Sequence, residues 1–402
     1  MNRDIPTSEN PFVRVGTTLY KIVSQPRLNG GHIKKRIVWN NETLRQDYGK
    51  DYLADVPKYD GFCTVPDHVG YKPVVDKFLN LYEPIGHQPV QGNFLHIRSL
   101  VRHIFGEQYE LGMDYLQLLY LQPVQKLPIL LLVSEERNTG KSTFLNFLKA
   151  VFQNNVTFNT NEDFRSQFNS DWAGKLLIVV DEVLLNRRED SERLKNLSTT
   201  LSYKVEAKGK DRDEIAFFAK FVLCSNNESL PVIIDPGETR YWVRKIYRLE
   251  SDDANFLQKL TAEIPAFLYF LQHRKLTTRQ ESRMWFSPKL TETPTLQRII
   301  RCNRGKHEVE AMELIREIMD NMEIESFSFC LNDLLNLLNL SGVKIEKHQL
   351  RRIVTESWKL TPAPNGLTYT SYQFAYNKER RFAPIKRVGR FYTVSRTLLD
   401  EL

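Results

Sequence analysis

Ile129-Leu-Leu-Leu-Val-Ser-Glu-Glu-Arg-Asn-Thr-Gly-Lys-Ser142 sets the architecture of this chain. Its first five residues form an apolar run, typical of a strand that is buried on both faces of a parallel sheet. The polar loop that follows opens a predicted helix over 142–152. In that context, backbone N–H groups of the loop and of the helix N-terminus converge on phosphate oxygens. The segment therefore predicts a nucleotide site whose binding residues are Asn138, Thr139, Gly140, Lys141, Ser142 and Thr143.

Each residue type of this loop has a physical role. Gly140 lets the backbone pass close to the phosphates, Lys141 places its ammonium on the β and γ phosphates, and Ser142 offers a hydroxyl to Mg²⁺. The pattern departs from a standard phosphate loop at its first position, where Glu135 stands in place of glycine. We expect Glu135 and Glu136 to point outward, because carboxylates beside a polyanion repel it. The alternative is a strand–turn–helix with a chance Gly-Lys-Ser.

Two carboxylates follow the second apolar run of this region. The run 176–180 ends in Asp181-Glu182, 40 residues after Lys141. A strand that runs under the phosphate loop delivers its last side chains to the metal site, so we expect Asp181 to hold Mg²⁺ together with Ser142. Glu182 would polarise the attacking water as general base. The alternative is that the two acids merely mark the end of a strand.

An amide and an arginine complete the set of candidate catalytic residues. A third apolar run leads to Asn226-Asn227, where a neutral amide can bond the γ phosphate or orient the water without adding charge. We prefer Asn226 to Asn227; the alternative use of either is to cap a turn. Arg240 lies 14 residues beyond Asn226 and could reach a nucleotide held by a neighbouring subunit, as an arginine finger. Arg244 is the second choice, and a surface arginine stacked on Trp242 is the alternative.

Patterns outside the motifs divide the chain into five predicted segments. Short strands that alternate with helices predict an α/β domain with a central parallel sheet over 126–275. Apolar residues at helical spacing, Val74, Val75, Phe78 and Leu79 among them, predict a helical domain over 71–125. Residues 1–70 would form an arm or a small β-rich module, with strands at 12–15, 18–23 and 33–39. Residues 276–305 would form a linker.

The last predicted domain, 306–402, has the order helix, helix, helix and hairpin, which resembles a winged helix-turn-helix. The hairpin strands are predicted at 367–372 and 391–394. The last 31 residues carry seven Lys or Arg and three acids, among aromatic side chains. Such composition suits nucleic acid, and Arg351 and Arg352 would lie on the recognition helix. The alternative is a winged helix that contacts protein, with its charges solvated.

Composition excludes several classes of protein. With 402 residues, 41% hydrophobic and 26% charged, the chain is long enough for two or three globular domains. The net charge of +7 permits a polyanionic partner without proving one. The four cysteines form no CxxC pair, so a disulfide scaffold or zinc ribbon is not expected and a reducing compartment is. No apolar run approaches the length of a membrane span and no signal peptide is recognised, so we expect a cytoplasmic protein without a membrane partner.

The motifs come in the order Gly140-Lys-Ser142, Asp181-Glu182, Asn226, Arg240, which resembles superfamily 3 helicases, AAA+ motors of small DNA viruses, poxviruses, phages and plasmids. The similarity is greatest to the helicase half of phage and mobile-element primase-helicases. It implies a P-loop AAA+ motor that uses ATP and Mg²⁺ and forms a homo-hexameric ring around single-stranded DNA, moving 3′ to 5′. Residues 71–125 resemble the collar that holds such rings together. It also implies a bacterial host cell or viral replication site, with any primase or polymerase on a separate chain.

A charged turn between the second and third motifs is the predicted DNA contact. Lys208-Gly-Lys210 would form the tip of a two-stranded hairpin. In the resembling family a hairpin at this place lines the ring pore, where cations hold phosphates without contacting bases. A plain charged surface hairpin is the alternative for Lys208 and Lys210. At the level of function, the alternatives are an ATP-dependent origin-binding initiator that does not travel and a signalling ATPase, which has no need of such a hairpin.

Overall fold

The computed structural model describes residues 10–26, 32–164, 172–185, 187–205, 213–249, 253–375 and 381–401. The chain divides into two compact units. The first contains residues 1–233 and 239–296, and the second contains residues 234–238 and 297–402. Each unit has its own hydrophobic core.

The described residues between 10 and 59 form a small β-rich module and not an extended arm. Three strands match the predicted positions, and a fourth completes a sheet of order β3-β2-β1-β4. Phe12, Leu19, Leu44 and Val56 form a small core beneath it. The elements are β1 (Phe12–Val15), β2 (Thr18–Pro26), β3 (His32–Val38), α1 (Asn41–Tyr48), α2 (Tyr52–Asp55) and β4 (Lys58–Tyr59).

The helical prediction for 71–125 is wrong in its first half. A second small sheet occupies that region, built from β5 (Gly61–Cys63), β6 (Val74–Val75) and β7 (Phe78–Asn80). Asp76 and Lys77 join β6 to β7 with φ of 45° and 68°. A two-residue loop with both φ positive matches the twist of an antiparallel pair. The apparent helical spacing therefore came from two short runs folded back on each other.

Helices occupy the second half of this region, as α3 (Leu95–Phe105) and α4 (Tyr109–Leu121). Their apolar faces belong to one continuous core with the central sheet: Ile97, Val101 and Ile104 of α3 join Leu130 and Leu132 of the sheet. The collar role predicted for 71–125 stays a prediction.

The central sheet has five parallel strands, as the alternating pattern predicted. Its order is β14-β8-β13-β10-β9, so β13 lies between β8 and β10. The three apolar runs identified in the sequence are β8, β10 and β13. In chain order the elements are β8 (Ile129–Val133), α5 (Lys141–Phe152), β9 (Val156–Asn159), β10 (Leu177–Val180), α6 (Arg188–Thr199), β11 (Ser202–Val205), β12 (Asp213–Ala216), β13 (Lys220–Ser225), β14 (Tyr241–Lys245) and α7 (Phe256–His273).

Two short helices lie within the predicted linker 276–305, α8 (Pro288–Thr291) and α9 (Pro294–Cys302). The second unit continues with α10 (Lys306–Met322), β15 (Ser326–Phe329), α11 (Leu331–Leu340), α12 (Lys347–Arg352) with a π-helical turn at Ile353–Ser357, β16 (Leu367–Phe374), β17 (Phe382–Gly389), β18 (Tyr392–Ser395) and α13 (Arg396–Glu401).

The strands predicted in this unit exist, but the predicted pairing between them is wrong. β16 pairs with β17, from Leu367↔Gly389 to Phe374↔Phe382, and β18 pairs with β15. The apolar side chains of β15 and β18 belong to the same core as those of α10 and α11. Among the described residues, no helix is long and apolar enough to cross a membrane.

Candidate nucleotide site

The phosphate loop leaves the carboxyl end of β8 and enters α5 at Lys141. Gly140 precedes the helix with φ of 80°, a conformation that strains any residue with a β-carbon. A β-carbon at Gly140 would also lie 3.4 Å from Cδ1 of Leu249. The glycine predicted to allow close approach of phosphate therefore occupies a backbone position that requires glycine.

Side chains and backbone groups from distant parts of the chain hold this loop. His103 of α3 shares a hydrogen bond of 2.9 Å with the carbonyl of Thr139, and the N–H of Leu249 donates to the carbonyl of Asn138. The half-buried histidine therefore ties the loop to α3, and the bond from Leu249 ties it to the segment after β14. Neither contact is predictable from the sequence, because both join residues far apart in the chain.

Glu228 is a further residue that the sequence analysis missed. Its side chain is 3% exposed, accepts a hydrogen bond of 3.2 Å from the N–H of Glu135 and pairs with Lys245 at 2.9 Å. A buried carboxylate is stable only when paired and hydrogen-bonded, and Glu228 is both. It anchors the first residue of the loop, where glycine is usual. Both Glu135 and Glu136 are exposed, but Glu136 lines the cavity described below, so the prediction that both point outward stays a prediction for Glu135 and is not met by Glu136.

Lys141 is the buried cation among the cavity walls, and Arg137 is an exposed one. Lys141 is 6% exposed, and its Nζ donates to Oγ1 of Thr139 at 3.2 Å. Burial lowers the pKa of Lys141, and the nearby Cys224, Asp181 and Glu228 oppose that shift. A phosphate group placed before this amine would stabilise its charged form, so nucleotide binding and protonation of Lys141 favour each other.

The hydroxyl of Ser142 donates a hydrogen bond of 2.7 Å to Oδ2 of Asp181. The two oxygens predicted as metal ligands are therefore adjacent, one on α5 and one at the end of β10. Among the described residues, no three His, Cys, Asp or Glu side chains cluster as a metal site. One carboxylate and one hydroxyl nevertheless suit Mg²⁺, which commonly takes its remaining ligands from substrate phosphates and water.

Glu182 and Asn226 lie beside this pair. Nδ2 of Asn226 is 3.4 Å from Oε1 of Glu182, to which it donates. Asn227 is used differently, because its Oδ1 accepts from the N–H groups of Ser229 and Leu230 and caps a turn. The preference for Asn226 over Asn227 fits this geometry. Because β13 lies between β8 and β10, the amide stands between the phosphate loop and the two carboxylates.

Asn161 fixes the backbone at Glu182 and also escaped the sequence analysis. Glu182 has φ of 61°, in the left-handed region that disfavours a side chain. Nδ2 of Asn161 donates to the carbonyl of Glu182 at 3.1 Å, and Oδ1 accepts from the N–H of Leu184 at 2.9 Å. One side chain thus bridges both ends of the strained turn that carries the candidate general base.

These groups surround one cavity of about 390 Å³. Its walls are the loop from Glu136 to Thr143 together with Asp181, Glu182 and Asn226. All six residues predicted to bind nucleotide are among the walls, as are three of the four predicted catalytic residues.

The fourth, Arg240, lies elsewhere. It directly precedes β14, and its carbonyl accepts from the N–H of Ile129 at the amino end of β8. The phosphate loop leaves the other end of β8, so Arg240 lies at the opposite edge of the sheet from the cavity. The second choice, Arg244, bonds Gln108 and the carbonyl of Phe105, which anchors the end of α3. Trp242 is fully buried and stacks on Phe105.

The strands predicted on either side of the charged turn are β11 and β12. They pair antiparallel from Ser202↔Ala216 to Val205↔Asp213. Lys208 and Lys210 lie outside the described residues.

Three comparisons place this geometry among known proteins. A family model described as a family of unknown function, DUF5906, matches residues 132–241. No curated protein matches the chain in sequence. Among solved structures, the apo NrS-1 C-terminal region (305–718) matches with a TM-score of 0.63 and 17% identity over 95% of each chain. The A form of that region matches with a TM-score of 0.61 and 17% identity over 93% of this chain and 94% of that chain.

A weaker match is to JCV helicase, with a TM-score of 0.31 and 12% identity over 56% of this chain and 66% of that chain. The likeness to the NrS-1 region spans nearly the whole of both chains and establishes the fold alone. The fold that this likeness shows is the mixed α/β architecture with its five-stranded parallel sheet.

Proposed function

We propose that this chain is an ATP-dependent DNA helicase, an AAA+ motor that assembles as a homo-hexameric ring and moves along single-stranded DNA, 3′ to 5′, during replication of a phage, virus or mobile element. The observation that carries the proposal is the single cavity that unites Lys141, the Ser142–Asp181 pair and the Glu182–Asn226 pair. Each group matches one requirement of phosphoryl transfer to water.

The proposed chemistry divides those requirements among the cavity residues. N–H groups of the loop and Lys141 bind the β and γ phosphates of ATP, and Ser142 and Asp181 would hold Mg²⁺, which neutralises charge that develops on the phosphates. Glu182 accepts a proton from the attacking water. Asn226 holds the carboxylate of Glu182 and the water in line with the γ phosphate.

An arginine from a neighbouring protomer completes the proposed site. Arg240 is at the opposite sheet edge from the cavity of its own chain, which favours action on another protomer's nucleotide. Hydrolysis at such an interface would move the hairpin of β11 and β12. In the proposal its tip residues, Lys208 and Lys210, contact the phosphates of the DNA strand. A primase or polymerase on a separate chain is a further proposed partner.

The first experiment replaces Lys141 with Ala. ATP hydrolysis and strand displacement should be lost while DNA binding persists, because only the cation that contacts phosphate is removed. Lys175→Ala is a matched control, since Lys175 donates to the carbonyl of Asn154, away from the cavity. Full unwinding by Lys141→Ala would reject the proposal.

The second experiment tests the hairpin. Lys208→Ala with Lys210→Ala should spare basal ATPase and abolish its stimulation by single-stranded DNA, as measured by phosphate release. Unwinding at the wild-type rate would remove the hairpin from the mechanism.

A second candidate function, an origin-binding initiator that does not travel, is favoured by the surface of the second unit. Arg351 of α12 and Lys386 of β17 are exposed, on elements whose order resembles a winged helix that could contact duplex DNA. Strand displacement on a forked duplex without any specific site separates the two functions, because an initiator alone would leave that duplex intact.

A further inference from the structure

Two lysines are buried at the amino edge of the central sheet, away from the nucleotide cavity. Lys126 is 5% exposed and Lys220 is 2% exposed. Lysine is almost never fully buried without a partner, because removing an ammonium group from water is costly. Neither residue takes part in the chemistry described above. Two such residues side by side therefore require an explanation beyond packing.

Each amine donates to a backbone carbonyl on the other lysine's segment. Nζ of Lys126 donates to the carbonyl of Phe217 at 2.7 Å and lies 5.0 Å from the centre of its ring. Nζ of Lys220 donates to the carbonyl of Pro123. We call this reciprocal pair of bonds the lysine cross-tie. It joins the segment before β8 to the segment before β13 twice, in opposite directions.

The surroundings of the cross-tie are apolar enough to lower the pKa of both lysine amines. Burial lowers the pKa of Lys126 to about 8. Burial lowers the pKa of Lys220 well below its usual value, and the charge of Lys126 lowers it further. A neutral amine still donates a hydrogen bond to a carbonyl. The cross-tie can therefore persist without two full charges in the core.

The position of the cross-tie links three functional elements. The carbonyl of Phe217 lies directly after β12, and its N–H donates to the carbonyl of Leu201 at 2.8 Å, which closes the root of the β11–β12 hairpin. Lys220 is the first residue of β13, the strand that ends beside Asn226. Lys126 precedes β8, the strand that ends in the phosphate loop, and β8 and β13 are paired along their length. A shift of either strand is therefore transmitted to the hairpin root through short, directional bonds.

We propose that Lys126 and Lys220 are positioning residues that couple the state of the nucleotide site to the hairpin through the lysine cross-tie. The inference rests on the proposed helicase function and deepens it. It identifies a mechanical connection from Asn226 and the phosphate loop, along β13 and β8, to the root of the hairpin. A packing role alone would stabilise the fold without affecting how nucleic acid controls hydrolysis.

The test uses the full chain with Lys126→Met and Lys220→Met, singly and together. Met preserves the length and apolar stem of lysine and removes the donor. Basal ATPase should stay near the wild-type rate, while the stimulation by single-stranded DNA should fall by about twofold to thirtyfold, the range found for residues that carry coupling. Lys126→Arg, which keeps a donor, should restore part of the stimulation. Lys175→Met is the matched control, because Lys175 also donates to a carbonyl before a strand of this sheet, that of Asn154 before β9.

Each outcome decides the matter. Stimulation within twofold of wild type in both Met variants would overturn the inference while leaving the helicase proposal intact. If basal and stimulated ATPase are lost together and the melting temperature falls, the lysines have a structural role. That outcome would also overturn the inference that they couple the two sites. A wild-type chain whose ATPase no nucleic acid stimulates would reject the proposed function itself, and the wild-type measurement makes that failure distinguishable.

Discussion

Replacing Asn161 with Ala tests whether the backbone at the candidate general base is held in a strained conformation. The left-handed conformation of Glu182 costs about 1–2 kcal/mol. Asn161 makes two hydrogen bonds to the Glu182–Leu184 turn, each with a net contribution of about 1 kcal/mol. The free energy gained from the two hydrogen bonds therefore nearly equals the free energy cost of the strained conformation. Without Asn161, the turn should relax.

The expected loss of activity follows from that balance. A change of about 2 kcal/mol in the population of the strained turn corresponds to about thirtyfold in rate. Val183 retains two bonds, to the carbonyl of Cys224 at 2.6 Å and from the hydroxyl of Ser225 at 2.9 Å, which limit the relaxation. We therefore expect kcat for ATP hydrolysis to fall by about tenfold to thirtyfold. The affinity for ATP should not change, because Asn161 is not a wall of the cavity.

The assay combines steady-state phosphate release with titration of a fluorescent ATP analogue, so that kcat and affinity are measured separately. Thr160→Ala is the control: the hydroxyl of Thr160 donates to Asp163 and leaves the turn at Glu182 untouched. A kcat for Asn161→Ala within twofold of the control would refute the idea that strain at Glu182 needs this side chain. A loss of affinity with unchanged kcat would refute it equally.

Two further predictions concern site sharing and stability. Arg240→Ala subunits mixed with Lys141→Ala subunits should regain the ATPase activity that each variant lacks alone. In the mixed ring, some interfaces pair an intact phosphate loop with an intact arginine. If a verified mixed ring shows no recovery, the site is not shared between subunits. Asp114→Ala should lower the free energy of unfolding by about 3–5 kcal/mol in urea titrations, because buried Arg274 keeps only its exposed ion-pair partner Glu110 and two threonines lose their acceptor. Glu281→Ala, which breaks an exposed pair, should cost under about 1 kcal/mol. Burial alone would raise the pKa of Asp114, but hydrogen bonds from the arginine and two threonines lower it. The stabilisation by Asp114 is therefore present above the carboxyl's unfolded pKa and is lost as pH falls through its folded pKa. The difference in the free energy of unfolding between wild type and Asp114→Ala should then shrink in acid. If that difference stays unchanged in acid, the assignment is wrong.

The cavity was predictable because its residues follow strands in the sequence. Parallel strands deliver their carboxyl ends to one edge, so Lys141, Asp181 and Asn226 could be placed together from three apolar runs and the residues after them. Asn161 and Glu228 could not be found in this way. Each acts through backbone groups of residues distant in sequence, and neither lies in a motif. An isolated Asn or Glu in a polar loop is more often a turn residue or a solvated charge.

The two wrong predictions about the fold have a common physical cause. Val74, Val75, Phe78 and Leu79 satisfy helical spacing, but a turn with two positive φ angles folds them into a hairpin. Short apolar runs do not distinguish a helix from a hairpin unless the turn is recognised, and Asp76-Lys77 lacks the usual glycine. The pairing prediction in the second unit failed for a related reason, because β17 and β18 both contribute to the core, through Phe382 and Val394, so apolar pattern alone does not identify the partner of β16.

The carboxyl ends and the amino ends of the parallel strands, here called the carboxyl edge and the amino edge of the sheet, carry different parts of the proposed motor. The carboxyl edge holds the nucleotide cavity, and the amino edge holds Arg240, the root of the hairpin and the lysine cross-tie. A monomer with this arrangement could bind nucleotide but could not bring its own arginine to the phosphates without breaking the register of β14 against β8. Either Arg240 serves no catalytic purpose, or the proposed ATPase contains at least two copies of the chain with the amino edge of one facing the carboxyl edge of the next. Such a head-to-tail contact generates a closed ring when its rotation closes. Assembly and catalysis are then inseparable, and hydrolysis should depend on protein concentration in the range where the ring dissociates.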